Sequence, residues 1–243
     1  MEENYFKNKM FSISVVSPVF SEEDTLINLV DYFHQKLINS LEEIIFVYHP
    51  RSSEKCINIL KDLEKNFTKV KIIKEEVMKK SGNGSAYRQG FKLAKGTHIL
   101  MIDSDGEMDV RTVPKMIKKM EETDCDIVIG SRYIKGGGFV GYAFHKFLLN
   151  VAFHYIFRLL FFTKIKDLTC GFKLIKRHVI DKYKWTAHNQ EIGAETTLKP
   201  LKGRDVIEEV PTVWKMTKGK KHPLSLIGNL IYPILALKIL FNF

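Results

Sequence analysis

His98-Ile99-Leu100-Met101-Ile102-Asp103-Ser104-Asp105 is the stretch whose reading decides the fold. Four apolar residues run without a break into two carboxylates one residue apart. A short apolar run closed by turn residues reads as a buried strand, and the Asp-Ser-Asp reads as an exposed turn at its carboxyl end. Toward the N-terminus the same kind of run recurs at residues 70–73, 44–48 and 11–16, the last stopping at Pro18. Segments of helical spacing lie between these strands. Ser21 followed by Glu22, Glu23 and Asp24 resembles a capped helix start with acids in its first turn, and Leu26, Val30, Phe33 and Leu37 continue it at the spacing of one helix face. Residues 54–66 and 85–95 read as two further helices. Toward the C-terminus, a helix at 113–122 precedes a strand at 126–129. Alternating strands and helices imply βαβ crossovers and a mostly parallel sheet, whose ligands sit at the carboxyl ends of the strands. The loops after Val16, Val47, Ile102 and Ile129 are therefore expected to converge on one cleft.

The bulk composition sets limits on this reading. A chain of 243 residues is long enough for one large α/β domain with a real core. Hydrophobic residues make up 45% and charged residues 27%, an ordinary globular balance that excludes extended disorder. Lysine and arginine exceed the acidic residues by 10, which favours polyanionic partners: nucleic acid, anionic lipid or nucleotide phosphate. Nucleic acid is the weakest of these, because no RRM, KH, helix-turn-helix or zinc pattern occurs. Cys56, Cys125 and Cys170 are far apart and read as buried, reduced thiols. The first ten residues are too polar for a signal peptide. The eight histidines show no metal-binding spacing, and Gly82–Gly84 is not followed by the Lys-Ser/Thr of a P-loop.

Two carboxylates on one turn can jointly hold a hard cation such as Mg2+ or Mn2+, which takes oxygen ligands and bridges carboxylates to substrate phosphates. Alone, the pattern is weak. Five further features occur in order. They are Val15-Val16-Ser17-Pro18-Val19-Phe20-Ser21-Glu22; Gly82-Asn83-Gly84-Ser85-Ala86 with Gly90, Ala94 and Gly96; Gly130-Ser131-Arg132-Tyr133; Asp167-Leu168-Thr169-Cys170-Gly171-Phe172-Lys173; and Glu209-Val210-Pro211. With Met101-Ile102-Asp103-Ser104-Asp105 between the second and third, this ordered set resembles the family-2 glycosyltransferases. Within them it is similar to the dolichol- and polyprenol-phosphate sugar transferases. The resemblance covers about residues 11–215.

The resemblance implies a glycosyltransferase A-type nucleotide-binding α/β sandwich. It also implies transfer of a sugar, with inversion, from a nucleotide diphosphate donor to an acceptor such as a polyprenol phosphate. It places Pro18, Glu22, Gly84, Arg88, Asp103 and Ser104 around the donor. Asp103 and Asp105 would hold the metal, with Glu107 where relatives usually carry a glutamine ligand. Arg132 and Lys173 would meet phosphate, the lysine losing the bidentate fork of the more usual arginine. Two departures stand out. The acidic turn that normally contacts the nucleotide is replaced by Tyr48-His49-Pro50-Arg51-Ser52-Ser53, in which Tyr48 or His49 could stack on a base. The late basic motif is reduced to Met216, Lys220, Lys221 and His222. A lipid-phosphate acceptor is already an anion and needs no base, whereas a hydroxyl acceptor would need one, for which Glu191 and Glu195 are candidates. A surface role for Arg132, and a non-catalytic relative that binds lipid or a partner, are the competing readings.

The last hundred residues change character. Gly136-Gly137-Gly138 reads as a flexible break and residues 206–213 as one late strand, with a short strand near 172–175. Residues 144–162 follow helical spacing, with aromatic, aliphatic and basic residues mixed. After a glycosyltransferase domain over residues 1–215, residues 216–243 form an apolar C-terminal segment behind Lys215, Lys218, Lys220 and Lys221. At about 20 residues, with Pro233 and Lys238 inside, it is marginal for spanning a bilayer. Two readings stand for it: a helix folded onto the domain, or, together with residues 144–162, a surface lying on the inner face of a membrane.

Overall fold

The computed structural model describes residues 11–76, 82–217 and 226–241. Nine strands and eight α-helices are seen there. In chain order they are β1 (Ile13–Val19), α1 (Asp24–Lys36), β2 (Leu41–Tyr48), α2 (Glu54–Asn66), β3 (Val70–Lys74), α3 (Asn83–Leu93), β4 (His98–Met101), α4 (Val113–Thr123) and β5 (Ile127–Ser131). Then follow β6 (Gly138–Val140), α5 (Phe144–Leu160), β7 (Lys173–Lys176), α6 (Arg177–Lys182), α7 (Ile192–Lys202), β8 (Ile207–Pro211), β9 (Val213–Lys215) and α8 (Leu226–Phe241).

Seven strands form one sheet in the order β3-β2-β1-β4-β7-β5-β8. All pairs are parallel except those of β7, which runs antiparallel between β4 and β5. This is the expected mostly parallel α/β sandwich. Its strands are covered on both faces, so their side chains are apolar almost throughout, and β1 is buried along its whole length. Pro18 lies inside this central strand, where a missing N–H is normally costly. The register explains why it is tolerated. Val16 O accepts Ile102 N–H and Val19 O accepts His49 N–H, so even-numbered residues of β1 face β4. The β1–β4 pairing ends at Val16–Met101, so Pro18 faces no strand there.

Three local expectations are corrected, and one finding bears on a choice left open. The first helix begins at Asp24, with Glu23 as N-cap and no side-chain cap; Ser21 instead donates its N–H to Glu22 Oε2. The late strand is two strands, because Thr212 leaves the main sheet and β9 pairs with β6 in a small second sheet. The glycine run is not a loose break. Gly136 has φ +89°, a Cβ on Gly137 would stand 2.4 Å from Ser131 O, and Gly138 opens β6. Within the C-terminal segment, α8 packs onto the domain along one side, as one of the two readings has it: Ala236 and Ile239 pack with Phe157, Leu168, Ala194 and Leu198 in a small core between α5, α7 and α8. Lys202 Nζ donates to Ile239 O at 2.6 Å and Leu240 O at 2.9 Å, satisfying the last carbonyls of α8. Among the described residues no helix is long and apolar enough to cross a membrane.

Candidate active site

Asp103 stands immediately beyond the end of β4, between the carboxyl ends of β1 and the strands that follow. The loop it opens is fixed by its neighbours. Ser104 is buried, and its Oγ donates to Pro18 O at 2.6 Å, tying the turn to β1. Asp105 Oδ1 accepts Glu107 N–H at 3.0 Å, and Lys215 N–H donates to Glu107 O at 2.8 Å. Thr217 N–H and hydroxyl then meet Glu107 Oε1 and Asp105 O. Tyr87, buried on α3, donates its hydroxyl to Asp103 Oδ1 at 2.9 Å.

These acids are half-buried or buried rather than exposed, contrary to the turn expected from sequence. Burial pushes the Asp103 carboxyl up to about 7; the nearby Asp105 adds to this, followed by Glu22 and Glu107, against the opposing Tyr87 hydrogen bond. A carboxyl raised by burial and by neighbouring acids is stabilised in its charged form by a cation placed among them. Asp103, Asp105 and Glu107 offer oxygen donors of the type hard divalent cations take, and so the residues fit such an ion. A separate group, Asp126, His178 and Asp205, brings its ligand atoms within 4.8 Å of one another. Asp126 and Asp205 precede β5 and β8, at the opposite edge of the sheet from Asp103. They are already paired with Lys176 at 3.8 Å and Lys182 at 2.5 Å, so this cluster is not the site's metal centre.

The residues expected around a donor lie on the loops after β1 and β2 and at the start of α3. Glu22 Oε2 accepts the N–H groups of Phe20 at 2.7 Å and Ser21 at 3.0 Å, which holds the loop after Pro18 in place. Tyr48 closes β2, and its carbonyl accepts Glu75 N–H. Beyond it His49 lies 5.4 Å from the Phe20 ring, and its Nδ1 accepts Arg51 N–H, leaving the ring proton on Nε2. Gly84 is required for close approach: a Cβ there would come within 2.7 Å of both Ala187 O and Asn189 O. Arg88 reaches the same 185–189 segment through Trp185 O at 3.5 Å and His188 Nδ1 at 3.3 Å. Gly84 and Arg88 thus brace the wall opposite the β1 loop.

The residues expected to serve phosphate or base chemistry are placed differently from one another. Arg132 follows β5 and is held by Asp167: Nε to Oδ2 and Nη2 to Oδ1, both at 2.8 Å, with its own N–H to Oδ2 and Nη2 to Thr169 Oγ1. It is therefore no ordinary surface arginine. Although burial opposes it, the guanidinium beside Asp167 holds that carboxyl down at about 2. The Arg132 side chain lines a cavity of about 630 Å³ together with Lys135, Tyr133, Phe139, Tyr142 and Phe147. Lys173 does not reach this space. It is fully buried, its Nζ donates to Gly193 O and to Thr196 Oγ1 on α7, and burial lowers its ammonium to about 7. The expected phosphate contact by Lys173 is thus corrected to a structural one. Glu191 is buried at the start of α7, with Oε1 accepting the N–H groups of His188 and Asn189. Glu195 is saturated by Thr186, Ala187 and Lys199, which removes it as a base. Lys220 lies outside the described residues.

Two functional positions were not singled out in the sequence. Asp167 lay inside a recognised motif, but only the fold shows that it organises Arg132. Tyr232, on α8, is a second: its ring lies 6.1 Å from Phe153 against the small core, and burial raises its phenol.

The sequence matches Glycosyl transferase family 2 over residues 14–184. The chain belongs to that family. It is a glycosyltransferase. A dolichyl-phosphate beta-glucosyltransferase of Saccharomyces cerevisiae is 29% identical over 235 residues, which are 88% of this chain and 70% of that protein. A dolichol-phosphate mannosyltransferase of Pyrococcus furiosus is 28% identical over 171 residues, 70% of this chain and 47% of that protein. Among solved structures, glucosyl-3-phosphoglycerate synthase from Mycobacterium tuberculosis, in complex with Mn2+, UDP-glucose and phosphoglyceric acid, has a TM-score of 0.73. At 15% identity, covering 96% of this chain and 81% of that one, it shares the glycosyltransferase A fold.

Proposed function

We propose that this glycosyltransferase moves a sugar from a nucleoside diphosphate donor onto the phosphate of a polyprenol phosphate, at the cytoplasmic surface of a membrane. The observation that carries the transfer reading is the cluster of acids on the loop after β4, Asp103, Asp105 and Glu107, with Glu22 from the loop after β1: burial and these neighbouring charges raise the Asp103 carboxyl. Mg2+ or Mn2+ held by Asp103, Asp105 and Glu107 would neutralise charge on the departing nucleoside diphosphate. Pro18, Glu22, Tyr48, Gly84, Arg88 and Ser104 form or brace the donor walls. Arg132, on the rim of the neighbouring cavity, meets the acceptor phosphate. The transfer is a single direct displacement with inversion in this reading; a phosphate acceptor supplies its own nucleophilic anion, so the fully hydrogen-bonded Glu195 is not needed as a base. Glu191 shapes the 188–191 turn and carries no proton in this scheme.

Three observations support a lipid acceptor: the two named relatives, the aromatic walls beside Arg132, and the apolar faces that α5 and α8 turn to solvent. The test is a transfer assay with radiolabelled UDP-glucose and GDP-mannose, using farnesyl phosphate, long-chain polyprenyl phosphate or phosphoglycerate as acceptor, with Mn2+, Mg2+ or chelator. Transfer to the lipid phosphates that chelator abolishes is expected. Transfer to phosphoglycerate alone would replace the lipid reading by a soluble acceptor, and metal-independent transfer would remove the cation from Asp103 and Asp105.

A further inference from the structure

His154 on α5 is almost completely buried, yet nothing in the scheme above uses it. Its ring packs edge-on to Tyr133 at 4.5 Å and near Phe153 at 5.7 Å. Nδ1 accepts Leu168 N–H at 3.2 Å, so in the neutral ring the proton is on Nε2. That Nε2 is buried and has no hydrogen-bond partner among the described residues. It stands 3.9 Å from Asp167 Oδ1, just outside hydrogen-bond reach. Oδ1 is the oxygen that Arg132 Nη2 holds at 2.8 Å. A buried donor left without a partner is costly and calls for explanation.

The need appears when Arg132 works. A guanidinium bound through both Nε and Nη2 to one carboxylate must give up part of that fork to grip a phosphate. Asp167 is fully buried, so an oxygen abandoned by Arg132 would lose a charge-assisted bond with no water to replace it. Thr169 N–H at 3.3 Å and Cys170 N–H at 3.1 Å also reach Oδ1, but neither can follow the shift.

We propose that His154 is a positioning residue for the acceptor phosphate: as Arg132 Nη2 turns to phosphate, the His154 Nε2–H closes on Asp167 Oδ1 and keeps that carboxylate hydrogen-bonded. The charged and titratable groups around the ring are Asp167, Arg132 and Tyr133, with Arg158 on its own helix. The inference rests on the lipid-phosphate reading and adds to it a link from α5 to the phosphate site. Because α5 also carries the exposed apolar face, docking of that helix and grip on the phosphate become one coupled arrangement.

The test compares wild type, His154→Phe, His154→Gln, Arg132→Ala and the double variant His154→Phe/Arg132→Ala in transfer to farnesyl phosphate. Phenylalanine keeps the ring contacts and removes both the Nε2–H donor and the Nδ1 acceptor of Leu168 N–H; glutamine restores a donor and an acceptor. His154→Phe is expected to raise the acceptor KM about tenfold, the worth of one hydrogen bond to a charged group. The donor KM should stay within about twofold, His154→Gln should recover most of the loss, and the double variant should be no worse than Arg132→Ala. In wild type, the 15N signal of His154 Nε2 should move on addition of farnesyl phosphate and not of donor alone, a readout that does not depend on any variant folding. An unchanged acceptor KM in His154→Phe, multiplying losses in the double variant, or a stationary Nε2 signal would overturn the inference while leaving the acceptor intact. Absence of wild-type transfer to any lipid phosphate would overturn the acceptor reading and this inference with it.

Discussion

β1 and α5 are both rich in apolar residues, and the fold treats them in opposite ways. All seven residues of β1 are buried, between β2 and β4 and beneath helices. Among the described side chains of α5 the buried ones are His154 and Phe157, while Phe144 is 73% and Tyr155 66% exposed, and Phe162 just beyond the helix is 96% exposed. α8 repeats the pattern: Ala236 and Ile239 face the small core, while Leu230, Ile234, Leu237 and Phe241 face solvent. In β1 apolar character supports a rigid platform, which delivers Pro18 and the Glu22 loop to a fixed place. In α5 and α8 it exceeds what the core needs. Exposed apolar side chains gathered on two helices suit an interaction site, for which we propose a lipid surface. Each experiment below either breaks that division of labour or measures it.

The largest effect is expected on the platform side. Asp105→Asn should lower transfer by about 10³-fold or more, the several kcal/mol that a bound cation contributes to charge stabilisation. The melting temperature without metal should change little, since the backbone contacts of the loop survive. Equal stabilisation of variant and wild type by Mn2+ in a thermal shift experiment would show that the ion binds elsewhere.

Next comes the joint between the two regions. Arg132→Ala leaves Asp167 buried without its cation and should destabilise the protein by about 3–5 kcal/mol, besides weakening acceptor use. Arg132→Lys should recover part of the stability and less of the activity, because an ammonium cannot span both carboxylate oxygens. Chemical denaturation and acceptor KM measured together separate the two losses. A stability change below about 0.5 kcal/mol in the alanine variant would mean the pair is not a structural joint at all.

The apolar side should respond in the reverse sense. Ile156 and Ile234 are about half exposed, so Ile156→Asp and Ile234→Asp should each alter stability by no more than about 0.5 kcal/mol. Flotation with anionic liposomes should nevertheless fall severalfold, and transfer to long-chain acceptor should fall more than transfer to farnesyl phosphate. Unchanged flotation in the double variant would assign the exposed faces to another partner.

Much of this arrangement was legible before the structure. Strand-helix alternation and Asp103-Ser104-Asp105 after a run of apolar residues placed the site at the carboxyl end of β4, because parallel sheets leave few alternatives. Long-range pairing was not legible. Nothing local in Lys173 says that its ammonium ends on Gly193 O and Thr196 rather than in the cleft, and nothing in Glu195 says that Thr186, Ala187 and Lys199 will saturate it. The break at Thr212 was also hidden. It depends on the pairing of β9 with β6 and on the buried hydroxyl contact with Thr112 at 3.0 Å, both set by tertiary contacts.

The smallest and most diagnostic effect concerns Lys173. Its ammonium is buried with two neutral acceptors, and burial lowers it to about 7 from an unfolded value near 10.4. Between those two values the unfolded chain binds more protons than the folded one, so wild-type stability should rise with pH from 7 toward 10, by at most about 1.4 kcal/mol per unit. Below pH 7 both states are protonated and the cost of the buried charge is constant. Lys173→Met removes that slope. It should be tolerated, because Thr197 Oγ1 still donates to Gly193 O at 3.2 Å and Thr196 Oγ1 still donates to Ile192 O at 2.8 Å. The expected result is a variant as stable as wild type or more so at pH 6–7, with wild type gaining at least about 1 kcal/mol relative to it by pH 9. Parallel stability curves across that range would show that the ammonium is not desolvated. A loss of transfer in Lys173→Met at constant stability would return the residue to the phosphate site from which the geometry removes it.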